Sequence, residues 1–347
     1  FMKKVLLLFL MSIFMILTLS AQGKVKTINV IPENAKIIHK GMEVGQGSYE
    51  FKMGRNDYLI FRLTAPGYID KTVRVYKTTN ARLVAADKSY DTTVNYLSFG
   101  KGDKNLILIP GLGDGFKTVK GLAFPFSIMY KIFGKDYKVY VFSRKNQLEE
   151  GYSTKDMAKD QAEVMKKLGI SKASIIGVSQ GGMIAQYIAI DYPELLDKLV
   201  LAVTVSRQNA TVQSVVSNWI AMAEVNNYKG IVIDTVEKSY SDKNIKKYRL
   251  LYPILSRIGK PKDFSRFIIQ ANACIHHDSY NELERIKCKT LVIGGDSDKV
   301  VGKNSSEEIA ERIPYSKLII LKGLGHMAYE EAKDFNQRVL AFFKGES

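Results

Sequence analysis

Gly177-Val178-Ser179-Gln180-Gly181 sets a serine between two glycines, directly after the aliphatic run 174–176 and directly before a helical pattern. A sharp turn from strand to helix leaves no room for side chains beside the serine, and it lifts the hydroxyl above the sheet edge at a helix N-terminus, where negative charge is favoured. A serine near its free pKa is a poor nucleophile, so it needs a base and a group that orients the base. Four histidines occur. His39 lies in an N-terminal glycine-rich stretch and His276-His277 in a helical insert. His326, in Gly323-Leu324-Gly325-His326-Met327 after the run 318–321, sits on a loop free to swing over the sheet edge. The acid belongs after the preceding strand, where Asp296 and Asp298 are both available; the strand over 199–203 offers no carboxylate before Glu224. An oxyanion would need two backbone amides: that of Gln180, after the serine, and that of Leu112, in Pro110-Gly111-Leu112-Gly113-Asp114-Gly115. The glycines of this loop allow the required backbone, and its side chains are expected to add little. As a phosphate loop it lacks Gly-Lys-Ser/Thr, and as a dinucleotide fingerprint its glycine spacing is wrong.

These residues need a sheet to hold them. Runs of β-branched and aliphatic residues at 106–109, 139–142, 174–176, 199–203, 291–293 and 318–321 alternate with helical patterns at 153–168, 183–190, 306–313 and 332–343. Such alternation predicts crossover connections and a mainly parallel sheet with helices on both faces. An insert at about 205–288 has helical patterning of its own, including 212–225 and 229–239.

The order Ser179, Asp298, His326, together with the loop 110–115, the phrase Tyr140-Val141-Phe142-Ser143-Arg144 and the runs 177–189 and 323–327, resembles the α/β-hydrolase superfamily over residues 95–345. Gly295-x-x-Asp298-x-x-Val301 is similar to the loop that carries the family's acid, which makes Asp298 the orienting carboxylate and leaves Asp296 as a turn cap. The resemblance implies an α/β fold whose insert is a helical cap roofing a small acyl substrate, with no metal and no cofactor. Ser179 argues against the dehalogenases of this fold, which use an aspartate. Pro110 stands where many members carry histidine, a departure that leaves the amide geometry untouched. The family spans esterases, lactonases, amidases, acyltransferases and carbon–carbon bond hydrolases, so the fold does not name a substrate. The expected activity is that of a carboxylesterase-like serine hydrolase. The competing readings are an amidase, lactonase or acyltransferase on the same triad, and an envelope-binding scaffold with a vestigial hydrolase domain.

Residues 24–78 read differently, as short alternating strands with glycine turns at Gly41, Gly45, Gly47, Gly54 and Gly67. Pro32-x-x-Ala35-x-Ile37, Gly41, Gly45 and Ala65-Pro66-Gly67-Tyr68 resemble PEGA-type β-sandwich modules of bacterial envelope proteins, and 79–94 reads as the linker to the hydrolase domain. At about 150 residues per domain, 347 residues suit this two-domain division. Lys3 and Lys4, an uncharged apolar run over 5–19 and Ser20-Ala21 read as a signal peptide covering 1–21; roughly 15 apolar residues fall short of the ~20 needed for a span, and the alternative to cleavage is a retained membrane anchor. The chain is thus expected to be exported to periplasm, envelope or medium.

Its 51 Lys+Arg against 35 Asp+Glu give a net charge of +16, which favours anionic surroundings. The expected partner is an anionic envelope polymer or membrane surface, not nucleic acid. The stretch 238–266 concentrates nine basic residues against Asp242 and Asp263. Its aromatic residues Tyr240, Tyr248, Tyr252, Phe264 and Phe267 read as a packing face. Two cysteines, Cys274 and Cys288, exclude a disulfide scaffold and a four-thiolate zinc site, and leave open whether they pair with each other.

Overall fold

The computed structural model describes residues 25–31, 35–52, 58–64, 71–76, 81–85, 94–120 and 122–346. Residues 1–21, read from sequence as a signal peptide, and Pro32, Ala65, Pro66, Gly67 and Tyr68 of the PEGA-like pattern lie outside them. Among the described residues no helix is long and apolar enough to cross a membrane.

The N-terminal strands are β1 (Val25–Ile31), β2 (Lys36–His39), β3 (Met42–Gln46), β4 (Ser48–Lys52), β5 (Tyr58–Thr64), β6 (Lys71–Tyr76) and β7 (Ala81–Ala85). The strands that follow are β8 (Val94–Phe99), β9 (Lys104–Ile109), β10 (Tyr137–Lys145), β11 (Ala173–Val178), β12 (Leu196–Ala202), β13 (Lys289–Gly295) and β14 (Ser316–Leu321). All hydrogen-bond into one sheet in the order β14-β13-β12-β11-β9-β10-β8-β7-β1-β4-β3-β2-β5-β6.

From β9 to β14 every neighbouring pair is parallel, and β8 closes the block antiparallel to β10. Parallel strands buried on both faces read as unbroken apolar runs, and every residue of β11 is buried. Period-two alternation still divides the faces. Ile107, Ile109, Tyr140 and Phe142 enter one core cluster, and Leu106, Leu108, Val139 and Val141 the other.

The helices are α1 (Ala123–Met129), α2 (Thr154–Lys167), α3 (Gln180–Asp191), α4 (Ala210–Glu224), α5 (Tyr228–Ser239), α6 (Asp242–Arg249), α7 (Tyr252–Leu255), α8 (Ser265–Ile275), α9 (Ser305–Arg312), α10 (Ala328–Glu331) and α11 (Phe335–Lys344). The start of α2 is fixed by a capping box in which Ser153 and Asp156 satisfy each other's backbone amides. Residues of α2 and α3 bury against one face of the sheet and Val339, Phe342 and Phe343 of α11 against the other. Between β12 and β13 lie α4 to α8, in the insert that was read as a cap.

The N-terminal strands pair mostly antiparallel, with β1 and β7 parallel. Ile28 of β1, Ile37 of β2, Phe61 of β5 and Val73 of β6 share one small core. β1 and β6, five places apart in the sheet, both contribute to it. β7 falls inside the stretch read as a linker and joins β8 through the single pair Leu83↔Val94.

Candidate active site

Ser179 stands between β11 and α3 with φ +54 and ψ −120. A non-glycine residue held there costs on the order of 1–3 kcal/mol and persists only when its surroundings enforce it. Here the Ser179 amide donates to the Ala202 carbonyl at 2.9 Å, and the Thr204 hydroxyl donates to the Ser179 carbonyl at 2.7 Å. Thr204 follows Val203, itself at φ +46. The flanking glycines are sterically required. A Cβ on Gly177 would lie 2.7 Å from the Gly182 Cα, and one on Gly181 would collide with the Ile109 carbonyl oxygen.

The structure brings the three sequence-selected side chains into one hydrogen-bonded row. His326 Nε2 lies 2.9 Å from Ser179 Oγ, and His326 Nδ1 lies 2.9 Å from Asp298 Oδ2. A carboxylate only accepts, so it fixes the tautomer with the proton on Nδ1 and leaves the Nε2 lone pair facing the serine hydroxyl. Asp298 Oδ1 is held in turn by the Val300 and Val301 amides at 2.8 and 3.0 Å. Asp298 and His326 are buried. Asp296 takes no part in the row: its Oδ1 accepts from the Gly323 amide at 2.7 Å and from the Ser297 hydroxyl, and so pins the loop that carries His326.

Gln180 is the first residue of α3 and Leu112 the first of the 3₁₀ turn Leu112–Gly115. Amides at the first position of a helix have no partner within it; Gln180 follows Ser179 directly, and Leu112 lines the same cavity as Ser179. Gly111 brings the loop close, since a Cβ there would lie 3.2 Å from the Ser179 Cβ.

Contrary to the expectation that this loop's side chains add little, Asp114 holds it in place. Its buried carboxylate accepts from the Arg144 amide at 3.1 Å and from Arg266 at 2.5 Å, and Arg266 also donates to the Asp114 and Arg144 carbonyl oxygens. Arg144 donates to the Pro110 carbonyl at 2.5 Å. Burial alone would favour the neutral acid, but Arg266 and Arg144 hold the Asp114 carboxyl below the usual range. Burial lowers Arg144 to about 10, still charged at neutral pH. The sequence signal for this network was an aspartate inside a glycine loop and an arginine just beyond a buried strand.

The cap supplies a second brace. The Gln180 side chain donates to the Gln270 carbonyl at 2.7 Å and to Cys274 Sγ at 3.2 Å, so α8 holds both sides of the amide pair. Phe267 of α8 stacks on Phe116 with ring centroids 4.0 Å apart. Ser179 and His326 open into a cavity of about 420 Å³ whose walls include Leu122, Phe126, Trp219, Ile231, Phe267 and Tyr329. These apolar walls lie on elements far apart in sequence, which is why sequence reasoning missed them.

The other histidines and the cysteines do different work. His277 is buried, hydrogen-bonds Thr154 and Ser279, and burial pushes its pKa down to about 3, so it is a neutral structural group. His39 bonds the Ile60 carbonyl within the N-terminal strands. Cys274 and Cys288 are both free thiols.

Comparison with known proteins agrees with this geometry. A family model described as the alpha/beta hydrolase fold matches residues 104–333. A 2-hydroxy-6-oxononadienedioate/2-hydroxy-6-oxononatrienedioate hydrolase of Burkholderia vietnamiensis is 23% identical over 297 residues, covering 79% of this chain and 99% of that protein. The hydrolase of the same name from a Pseudomonas species is 26% identical, and the match spans 52% of this chain and 65% of that protein. The 3-oxoadipate enol-lactonase 2 of Acinetobacter baylyi is 23% identical over 73% of this chain and 94% of its own. Among solved structures, MGS-M2, an alpha/beta hydrolase enzyme from a Medee basin deep-sea metagenome library, superposes with a TM-score of 0.64 at 22% identity, covering 74% of this chain and 96% of that one. With the match spanning 104–333, about two thirds of the chain, this chain belongs to the α/β-hydrolase fold family.

Proposed function

We propose that this protein is an exported serine hydrolase that cleaves a carboxylic ester or related acyl substrate through an acyl-enzyme. Ser179 Oγ attacks the acyl carbon as His326 Nε2 takes its proton, and Asp298 stabilises the imidazolium. The Gln180 and Leu112 amides hold the oxyanion. His326 then protonates the leaving group, and water, activated by the same imidazole, releases the acid. The observation that carries this reading is the unbroken row from Ser179 through His326 to Asp298, built on a serine in a strained backbone conformation.

The apolar cavity walls favour an uncharged acyl group longer than acetyl, because aliphatic carbon gains about 25 cal/mol per Å² on leaving water. A lactone suits the same chemistry, and the likeness to an enol-lactonase keeps it in the test. The experiment is a panel of esters of graded acyl length, with lactones and amides as comparators. Ester kcat/KM is expected to rise from acetyl to medium-chain acyl groups. Turnover of amides alone, or of acetyl esters best, would contradict the reading.

A further inference from the structure

The arm 240–262, which follows α5 in the cap, carries groups that the hydrolytic site does not use. Lys243, Lys246, Lys247, Arg257, Lys260 and Lys262 are exposed, and among the described residues none has a carboxylate partner. Leu250 is 80% exposed and Ile254 49%. The backbone stays helical from α6 through Leu250 and Leu251 into α7. Leu250, Pro253 and Ile254, spaced i, i+3, i+4, therefore share one face.

This exposure belongs to a braced arm. Arg249 makes a bidentate pair with Glu237 at 2.7 and 2.8 Å, and Tyr252 donates to the same carboxylate at 2.6 Å. Ser241 donates to Glu331 through its amide and hydroxyl, and Tyr240 packs on Tyr248 with centroids 4.2 Å apart. The sequence reading of the aromatics as a packing face holds for that pair, and Phe264 and Phe267 are buried. The arm adjoins the cavity, since Ser239, where it begins, lines the cavity with Tyr329. A second exposed apolar cluster, Phe124, Ile128 and Met129, lies on α1.

The geometry points to an anionic lipid bilayer as the partner of this arm, with Leu250 and Ile254 entering the boundary between headgroups and acyl chains and the lysines meeting lipid phosphates. A soluble polyanion would satisfy the charges equally well. It would leave Leu250 and Ile254 in water, whereas a bilayer removes them from it.

The test places an environment-sensitive fluorophore on L250C in the full chain, with C288S removing the half-buried thiol, so that the apolar run 5–19 does not enter the readout. Vesicles of equimolar phosphatidylglycerol and phosphatidylcholine should shift its emission to the blue, high salt should reverse the shift, and phosphatidylcholine alone should give none. The same dye on V225C, an exposed site outside the arm, should not respond. Replacing Lys243, Lys246 and Lys247 by alanine should weaken the vesicle response about a hundredfold, at roughly fivefold per lysine. I254D should weaken it about tenfold or more while leaving turnover of a soluble ester unchanged. The inference is overturned if L250C responds to an anionic polysaccharide but not to the anionic vesicles, if phosphatidylcholine alone gives the same shift, or if I254D binds like the parent.

Discussion

At Ser179, a hydroxyl on an ordinary turn would be an ordinary surface group. The positive φ, the two flanking glycines and the Thr204 hydroxyl on its carbonyl aim this one at His326. The two aspartates of the following loop divide the remaining work. Asp298 faces the imidazole, while Asp296 pins Gly323. D298N should therefore misset the His326 tautomer and lower kcat by about 10⁴-fold, the magnitude known for the equivalent change in a serine protease. D296N should cost less than about tenfold. Steady-state kinetics on a soluble ester would check both, and the reverse ranking would move the acid's role to Asp296.

Among the elements, α8 does the most to hold the site. It meets the loop 110–115 through Arg266 and Asp114 and the serine turn through Gln270 and Gln180. Arg144 and Asp114 are each almost wholly buried, and removing one charge of such a group strands another. D114N should lower unfolding stability in urea by about 3 kcal/mol, and should slow kcat at least tenfold while Ser179 still accepts an acylating probe; unchanged stability and rate would contradict the bracing role. The meeting of Ser179, Asp298 and His326 was legible because each follows a strand of the parallel block, and the order of those strands is written in apolar runs. The bracing was not, since Asp114, Arg144 and Arg266 come from a loop, a strand end and a cap helix that meet only after folding. β7 fell in the stretch read as a linker, five residues being too short to show a period there.

For the whole molecule, the N-terminal strands extend the hydrolase sheet yet reach it through one β7–β8 pair, and their core is separate. None of the residues named in the proposed mechanism precedes Leu112. A chain beginning at Lys88 should fold and keep kcat/KM on a soluble ester within about threefold, since it loses only edge pairing of β8. A folded but inactive product would show that the N-terminal strands help form the cavity. The sequence reading divided the chain at the shift from glycine-punctuated alternation to long apolar runs. The continuity of the sheet was hidden because a single backbone pair carries it.

The most direct test of the central claim is labelling with a fluorophosphonate, followed by mapping the modified peptide by mass spectrometry. A single adduct on Ser179, absent in S179A and in heat-unfolded protein, with ester turnover lost in parallel by several orders of magnitude, is the predicted result. An adduct elsewhere, or S179A retaining label and turnover, would contradict Ser179 as the nucleophile.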